Sequence, residues 1–209
     1  MPSPSARQKM SPELRRAAIL DAALDVFSSR GYAEARLDDI AAAAAIGKGT
    51  IYLHFRDKQD LFEQLLKSAA LPVLDLASSL ATRPDTPTRT ILTAVVELFR
   101  REVLGTRRRE VLRLIIAEGG RFPELAAFYH REVVSRGLSL LTTVLDRGVA
   151  RGEVDAAYAR HPQLVMAPLI MALLWDALFS PVDPLPVEDL LREHVRLVAS
   201  GGPLSGDGP

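Results

Sequence analysis

The sequence predicts an all-α fold. Apolar residues recur at the three- and four-residue spacing of a helix along nearly the whole chain, and few segments alternate as strands do. Prolines and glycines fall near the ends of these periodic segments. A chain of 209 residues is long enough for one or two domains with a real core. We therefore expect a small N-terminal three-helix unit, a connecting helix and a larger helical C-terminal body.

The N-terminal unit is predicted to begin at Ser11. This residue has the character of an N-cap, and Pro12 suits the first helical position. The first helix is expected to bury Ala18, Ala22 and Phe27 on one side and to stop at Gly31. The helices that follow are predicted at residues 37–44, 48–54 and 58–82.

The C-terminal body is predicted to contain five further helices. They are expected at about 86–104, 107–119, 123–151, 156–180 and 187–199. The helix at 156–180 contains Pro162 and Pro168, so one proline would occupy its first turn and the other would have to kink it.

The domain boundary is expected between residues 56 and 57. The first domain then covers 11–56 and the second 57–200. The segments 1–10 and 201–209 are rich in proline, serine and glycine, and we expect both to be disordered tails.

Composition excludes several classes of protein. The chain has no cysteine, which rules out disulfides, thiolate nucleophiles and cysteine-bound metals. Its four histidines show no metal-binding H-x-x-x-H or H-E-x-x-H spacing, and no G-x-S-x-G nucleophile motif is present. No apolar run is long enough to span a bilayer, and the N-terminus lacks the apolar segment of a secretory signal. We expect a soluble cytoplasmic protein that is not an enzyme and has no metal, cofactor or membrane partner.

The stretch AAAAAIGKGTIYLHF, residues 41–55, predicts the second half of a helix-turn-helix unit. Small alanines let two helices approach closely, and Ile46 can fill their junction. The residues expected on the inner faces are Leu37, Ile40, Ala41, Ala44, Ile51 and Phe55. A nucleotide-binding phosphate loop is disfavoured, because no glycine precedes Gly47 at the required spacing. A plain core helix is also disfavoured, since Lys48 and Tyr52 would then be buried.

The outer face of the helix at 48–54 suits a nucleic acid. In helix-turn-helix modules the first turn of the second helix reads base edges in the major groove. A helix N-terminus also attracts a phosphate. Tyr52 and His54 can donate hydrogen bonds to phosphates, while Lys48 and Lys58 can neutralise them. Leu53 shares the same outer face.

These residues carry a family resemblance. Gly31-Tyr32, Asp39-Ile40-Ala41, Gly47 to Tyr52, His54-Phe55, Lys58 and Leu61-Phe62 resemble the DNA-binding domain of the tetracycline-repressor (TetR/AcrR) family over about residues 12–66. The segment LRLIIAEGGRFPEL, residues 112–125, is similar to the C-terminal domains of AcrR-like members. The resemblance implies a homodimer that binds a palindromic operator in double-stranded DNA. It also implies an unknown small-molecule effector, largely apolar, that binds the C-terminal domain and relieves repression.

The family pattern places the DNA contacts on particular positions. It implies contacts from Lys48, Gly49, Thr50, Tyr52, His54 and Lys58. Arg36 falls at the start of the first motif helix, where the family often has a hydroxyl residue facing a phosphate.

Two departures from the family pattern affect the motif. Ala35 and Arg36 replace the usual hydroxyl residues, which leaves Asp38 as the expected cap of that helix. Ala45 and Gly47 stand where the family usually has glycine and serine. Either Ala45 adopts a left-handed conformation, at about 1 kcal/mol, or Gly47 absorbs the bend.

The segment 156–180 is apolar nearly all round, which predicts burial on several sides. In the family the last two helices, here about 160–180 and 187–199, pack against their copies as a four-helix bundle. The resulting candidates for the dimer interface are Leu164, Leu169, Leu173, Leu190, Leu191, Val195 and Val198. An ordinary monomer core remains an alternative, as does a helical adaptor that binds another protein through 156–180.

A ligand pocket is expected in the C-terminal body, with apolar walls and a few polar groups. The candidate apolar residues are Phe62, Leu66, Phe99, Phe122, Phe128, Met166, Ile170 and Trp175. The candidate polar groups are Arg113, Glu118 and His130. The alternative is that this set of aromatic and methionine residues simply forms core.

Overall fold

The computed structural model describes residues 11–200, and the predicted disordered tails at 1–10 and 201–209 lie outside that range. Within it the chain forms eleven α-helices and no strand, which confirms the predicted all-α fold. None of these helices is long and apolar enough to cross a membrane. The helices are α1 (Pro12–Glu34), α2 (Leu37–Ala43), α3 (Lys48–His54), α4 (Lys58–Ala81), α5 (Thr88–Phe99), α6 (Arg108–Glu118), α7 (Pro123–Tyr129), α8 (Ser135–Ala150), α9 (Ala156–Arg160), α10 (Gln163–Phe179) and α11 (Val187–Val198).

Two π-helical turns interrupt the C-terminal body where longer helices are predicted. Arg100–Leu104 extends α5, and His130–Val134 joins α7 to α8. The predicted helices at 86–104 and 123–151 are therefore helical along most of their length but each contains a wider turn. Such turns occur frequently at functional sites.

The start and the break of α1 follow the sequence prediction. The Ser11 hydroxyl accepts a hydrogen bond from the Leu14 backbone N–H at 3.2 Å. Gly31 has φ +75° and ψ 167°, so it leaves helical geometry even though a last helical stretch continues to Glu34. That backbone region is open almost only to glycine. The chain therefore turns at Gly31 toward α2.

The turn between α2 and α3 is a Schellman motif with alanine in the left-handed position. Ala45 has φ +53°. The N–H of Ile46 donates to the Ala41 carbonyl at 3.0 Å, and the N–H of Ala45 donates to the Ala42 carbonyl at 3.1 Å. These are the two bonds that define the motif. Of the two alternatives for this bend, the left-handed alanine is confirmed, and Gly47 has an ordinary φ of −69°.

The expectation that Asp38 caps α2 is wrong. Arg36 occupies the N-cap position, and no side chain accepts a hydrogen bond from the first turn. The carboxylate of Asp38 instead receives a hydrogen bond from Lys48 Nζ. Asp38 lies inside the first turn of α2, one residue past the helix start, and its carboxylate pairs with α3.

Helix α4 connects the two parts of the molecule. It has 24 residues, which makes it about 36 Å long. Its first half is buried in the core of the N-terminal unit through Leu61, Phe62 and Leu65. That core continues into α6 and α7, so it crosses the predicted boundary at residues 56 and 57. A movement of α4 or α6 would consequently be felt in the N-terminal unit.

The prediction of a single helix over residues 156–180 is wrong. Helix α9 ends at Arg160 and α10 begins at Gln163. Pro162 disfavours helical geometry in the residue before it, and His161 accordingly has φ −131° and ψ 69°. The other proline, Pro168, lies inside α10.

A second apolar core unites the last helices with the middle of the chain. It is formed by buried residues of α5, α8, α10 and α11. Leu169, Leu191, Val195 and Val198 belong to it. Both α10 and α11 therefore bury one face within their own protomer.

Candidate nucleic-acid interface and internal cavity

Helix α3 presents one buried face and one open face. Ile51 has no exposed surface, while 56% of Tyr52 and 84% of Leu53 are exposed. Lys48 and Gly49 are also exposed, and Thr50 and His54 are half-buried. The predicted division of this helix into an inner and an outer face is confirmed by these exposures.

The backbone at Gly49 is open to a partner molecule. A Cβ atom built at this position meets no atom within 4 Å among residues 11–200. Another chain can therefore approach the first turn of α3 closely. Arg36 is exposed at the start of α2, on the neighbouring helix of the motif.

Lys48 is paired with Asp38 on the protein surface. Its Nζ lies 2.6 Å from the Asp38 carboxylate, and 74% of the lysine side chain is exposed. The hydrogen bond that Lys48 donates to this carboxylate raises the pKa of Lys48. Solvent-exposed pairs of this kind are weak, so an incoming phosphate can compete for the ammonium group.

Lys58 has an internal role that the sequence did not reveal. Its Nζ donates to the backbone carbonyls of Tyr32 and Ala33, both at 2.8 Å, and lies 4.7 Å from the centre of the Tyr32 ring. Burial lowers the pKa of this lysine. The ammonium group thus ties the start of α4 to the end of α1, and one of its three hydrogens remains for a phosphate.

Helix α6 makes two further connections to α1. Arg107, which precedes α6, forms an ion pair with Asp25 of α1. At the other end of α6, Glu118 Oε1 accepts the Tyr32 backbone N–H at 3.0 Å. The ring of Phe122 packs edge-on against the Tyr32 ring, with centroids 4.8 Å apart. The end of α1 is therefore held by both α4 and α6.

An apolar cavity lies in the C-terminal body and opens to the surface, where its lining residues Ile116 and Met171 are about half exposed. Its volume is about 680 Å³, which is within the range of small-molecule sites. Helices α4, α5, α6, α8 and α10 all contribute to its wall. Four of the predicted ligand residues line it: Leu66, Phe99, Met166 and Ile170.

The other predicted ligand residues do not line this cavity. Phe62 and Phe128 are buried in the core of the N-terminal unit, which extends further along the chain than the sequence indicated. His130 lies on the protein surface, with its Nδ1 3.3 Å from the Ser135 hydroxyl. Phe122 and Glu118 face α1, as described above.

Arg113 and Trp175 also have partners outside the cavity. Arg113 Nη2 donates to the Asp176 carboxylate at 2.8 Å and joins α6 to α10. Trp175 Nε1 donates to the Asp183 carbonyl at 2.6 Å. These polar contacts orient both side chains away from the cavity wall.

The polar part of the wall was missed by sequence reasoning. It consists of Arg108, Tyr129 and Gln163. Burial raises the pKa of Tyr129 to about 12, so its hydroxyl stays protonated near neutral pH. Arg108 could have been found from its helical spacing, because it precedes Val111 and Leu112 by three and four residues.

The predicted dimer residues divide into two groups. Leu169, Leu173, Leu191, Val195 and Val198 are buried within the protomer, so their assignment to a dimer surface is wrong. Leu190 is half-buried and Leu164 is exposed. On α10, which is apolar nearly all round, spacing cannot separate a core face from a dimer face, whereas the one apolar face of α11 packs into the core of its own protomer.

The exposed apolar surface of the last helices lies on different residues. Leu164, Met171 and Leu178 of α10 are 45%, 51% and 64% exposed. Their seven-residue spacing places them along one stripe of the helix. Leu197 of α11 is exposed as well.

Two family patterns match the chain. The family described as "Bacterial regulatory proteins, tetR family" matches residues 19–65. The family described as "Tetracyclin repressor-like, C-terminal domain" matches residues 83–198. The first range contains α2 and α3, and the second contains most of the cavity wall.

Individual proteins show the same likeness. The HTH-type transcriptional repressor BepR of Brucella suis is 31% identical over 161 residues, which cover 73% of this chain and 75% of BepR. The HTH-type transcriptional regulator AcrR of Shigella flexneri is 27% identical over 180 residues, covering 84% and 83%. The structure of the fatty acid degradation regulator FadR from Bacillus halodurans is 25% identical, with a TM-score of 0.74 and coverage of 93% and 98%.

Proposed function

The chain belongs to the TetR family of bacterial regulatory proteins, and from that premise we propose that it is a ligand-responsive transcriptional repressor. It binds a palindromic operator as a homodimer and leaves the DNA when a small, largely apolar molecule occupies the cavity. One observation carries this proposal. Helix α4 contacts the end of α1 through Lys58 and lines the cavity through Val73 and Ala77. A single helix, with Pro72 in its interior, thus reaches both the helix-turn-helix unit and the cavity.

The operator contacts are proposed to come from the open face of α3 and its surroundings. Tyr52 and Leu53 face the major groove, and the backbone at Gly49 lets a base edge or phosphate approach. The full proposed set is Arg36, Lys48, Gly49, Thr50, Tyr52, Leu53, His54 and Lys58. Phosphate contacts supply most of the affinity, whereas base contacts supply the specificity.

A second copy of the chain is proposed to cover the exposed stripe on α10. Leu164, Met171 and Leu178 form this stripe, and Leu197 of α11 is a further exposed apolar residue of the last helices. Dimerisation would place two α3 helices against two half-sites about one helical turn, or 34–36 Å, apart. Contacts to both half-sites strengthen binding without any new contact within either one.

Release from the operator is proposed to follow from a change in α4. A ligand shifts an equilibrium only if it binds one conformation more tightly than another. The cavity wall is continuous along α4 from Leu66 to Ala81. A ligand that moves this part of α4 would also move Lys58 and, with it, the end of α1.

The relatives support both repression and an apolar effector. The protein from Brucella suis is named a repressor, which favours repression over activation for this chain. The structure from Bacillus halodurans is described as a fatty acid degradation regulator. Apart from Arg108, Tyr129 and Gln163, the cavity wall consists of apolar side chains and one glycine, which suits an effector of the same apolar character.

The proposal is tested with the DNA that flanks the protein's own gene. We expect the wild-type protein to shift a palindromic fragment in a gel assay. Tyr52→Ala and Lys48→Ala should each weaken binding several-fold or more while the dimer stays intact by size-exclusion chromatography. Lys67→Ala is the matched control, because Lys67 lies on α4 and pairs with Glu132 away from α3. Unchanged affinity in both α3 variants would remove this surface as the DNA site.

A helical adaptor that uses the apolar part of residues 156–180 remains the second candidate. The exposed stripe on α10 is the observation that favours it. DNA binding through phosphates weakens steeply with salt, by about 0.9 log units per contact for each log unit of salt. A flat salt response would favour the adaptor. The named relatives are transcriptional regulators, and turnover of any substrate would be needed to support an enzyme.

A further inference from the structure

Among residues 11–200, the cavity wall contains a single charged side chain. It is Arg108, at the start of α6, and no aspartate or glutamate is among the residues that line the cavity. The other polar groups, the Tyr129 hydroxyl and the Gln163 amide, are uncharged and can both donate hydrogen bonds. The wall therefore offers a cation and neutral donors to a ligand but no anion.

Arg108 is held in place by one carboxylate that it shares with another arginine. Its Nη1 donates to the Glu102 backbone carbonyl at 3.2 Å and to the Glu102 carboxylate at 3.0 Å. The same carboxylate lies 3.0 Å from Arg101 Nε. Arg101, Arg108 and Glu102 together therefore carry one net positive charge. Within residues 11–200, Nε and Nη2 of Arg108 have no hydrogen-bond partner and remain available.

The apolar wall continues directly from this charge along α6. Leu112 and Ile116 follow Arg108 at intervals of four residues, so all three lie on the same side of the helix. Arg108 also lies in the first turn of α6, where the helix dipole is positive. An anionic group at this end of the wall would meet the guanidinium, and an attached apolar chain would follow α6.

We propose that the effector is a single-chain amphiphile whose anionic head group binds Arg108 and whose apolar tail lies along α6. This rests on the proposed function, because it specifies the molecule that occupies the regulatory cavity. A cationic head group would find no carboxylate in the wall, and burying an unpaired charge is strongly unfavourable. A neutral head group would be tolerated but would gain no charge-assisted hydrogen bond.

The test compares three molecules that share a twelve-carbon chain. Dodecanoate is anionic, dodecan-1-ol is neutral and dodecyltrimethylammonium is cationic. Their affinities for the full chain are measured by titration calorimetry, below the micelle concentrations of the two ionic molecules and below the solubility limit of dodecan-1-ol. We expect dodecanoate to bind roughly tenfold or more tightly than dodecan-1-ol, which is the gain from a hydrogen bond to a charged group. Dodecyltrimethylammonium should bind most weakly.

Variants of α6 then assign the effect to one side chain. Arg108→Gln should reduce dodecanoate affinity to that of dodecan-1-ol, while the affinity for dodecan-1-ol stays within about threefold. Arg108→Lys should retain most of the preference, since the positive charge remains. Arg109→Gln is the matched control, because Arg109 is adjacent but does not line the cavity. If Arg108→Gln does not fold, the wild-type ranking and Arg108→Lys still decide the result.

The outcomes separate this inference from the proposed function. Equal or tighter binding of the cationic or neutral molecule overturns the anionic head group. No binding of any of the three overturns the single-chain amphiphile. If dodecan-1-ol or dodecyltrimethylammonium releases operator DNA as effectively as dodecanoate, the head-group assignment falls and the regulatory function stands. If dodecanoate binds through Arg108 without any change in operator affinity, the head-group assignment stands and the proposed regulatory function falls.

Discussion

Gly31 lies near the end of α1, against Glu118 of α6, and we expect Gly31→Ala to destabilise the protein strongly. Its φ of +75° and ψ of 167° fall in a region that other residues adopt at a cost of about 1–3 kcal/mol. A Cβ atom at this position would also lie 2.7 Å from Glu118 Oε1. The carboxylate would have to move away and give up its hydrogen bond from the Tyr32 N–H.

The magnitude follows from these two effects. A hydrogen bond to a charged group contributes about 1.5–3 kcal/mol. Alanine also restricts the unfolded chain relative to glycine, which returns about 0.4–1 kcal/mol. The expected net loss is about 3 kcal/mol. For a chain of this size such a loss lowers the melting temperature by roughly 6–12 °C.

Thermal unfolding followed by circular dichroism, at one fixed protein concentration, measures the loss. Gly120→Ala is the control, because a Cβ atom there meets nothing within 4 Å among the described residues. The cost of Gly31→Ala should shrink in a Glu118→Ala background, since both changes remove the same hydrogen bond. A melting temperature within 2 °C of the wild type, or full additivity of the two changes, would refute this reasoning.

Three other changes are expected to have measurable effects. Ala45→Gly should raise the free energy of unfolding by up to about 1 kcal/mol, because it removes the left-handed strain at φ +53°. Urea titration measures this change, and a lower stability of the variant would contradict the strain. Burial lowers the pKa of His194, so its contribution to stability is complete above pH 6.5 and is lost as the pH falls further. His194→Gln should flatten that part of the stability–pH curve. An unchanged slope would show that His194 does not cause this pH dependence. Leu178 is exposed, so Leu178→Glu should dissociate the proposed dimer in light-scattering measurements while each protomer stays folded. Leu173 is buried, so Leu173→Glu should unfold the protomer. A dimeric Leu178→Glu protein would contradict the proposed interface.

The sequence predicted the helix-turn-helix unit well because its buried residues recur at helical spacing and most of its outer residues are polar, Leu53 being the exception. Ile51 and Phe55 are apolar and fully buried, as expected, while Lys48 and Tyr52 are polar and exposed. A helix with two distinct faces allows this inference from spacing alone. The sequence left open whether Ala45 or Gly47 makes the bend between α2 and α3. Only the backbone angles showed that Ala45 adopts the left-handed conformation.

The C-terminal body was predicted less well because α10, at its centre, is apolar on more than one side. Leu164 and Leu169 both lie on α10, yet the first is exposed and the second is buried. Apolar character alone does not distinguish a core face, a dimer face and a cavity wall. Pro162 and Pro168 likewise required the structure to show which one separates two helices.

Polar residues near the cavity were the hardest to assign. Arg108 and Arg113 lie on the same helix and are five residues apart, but only Arg108 lines the cavity. Arg113 is bound by Asp176, which lies 63 positions further along the chain. Long-range partners of this kind leave no local signal in a single sequence.

The central claim is that occupancy of the cavity and binding of the operator oppose each other. The direct measurement is the operator dissociation constant by fluorescence anisotropy, with and without a saturating apolar ligand whose binding to the cavity has been established by calorimetry. We predict a weakening of roughly 5- to 150-fold, and operator-bound protein should bind the ligand more weakly by the same factor. An operator affinity that does not change at full occupancy of the cavity would contradict the account.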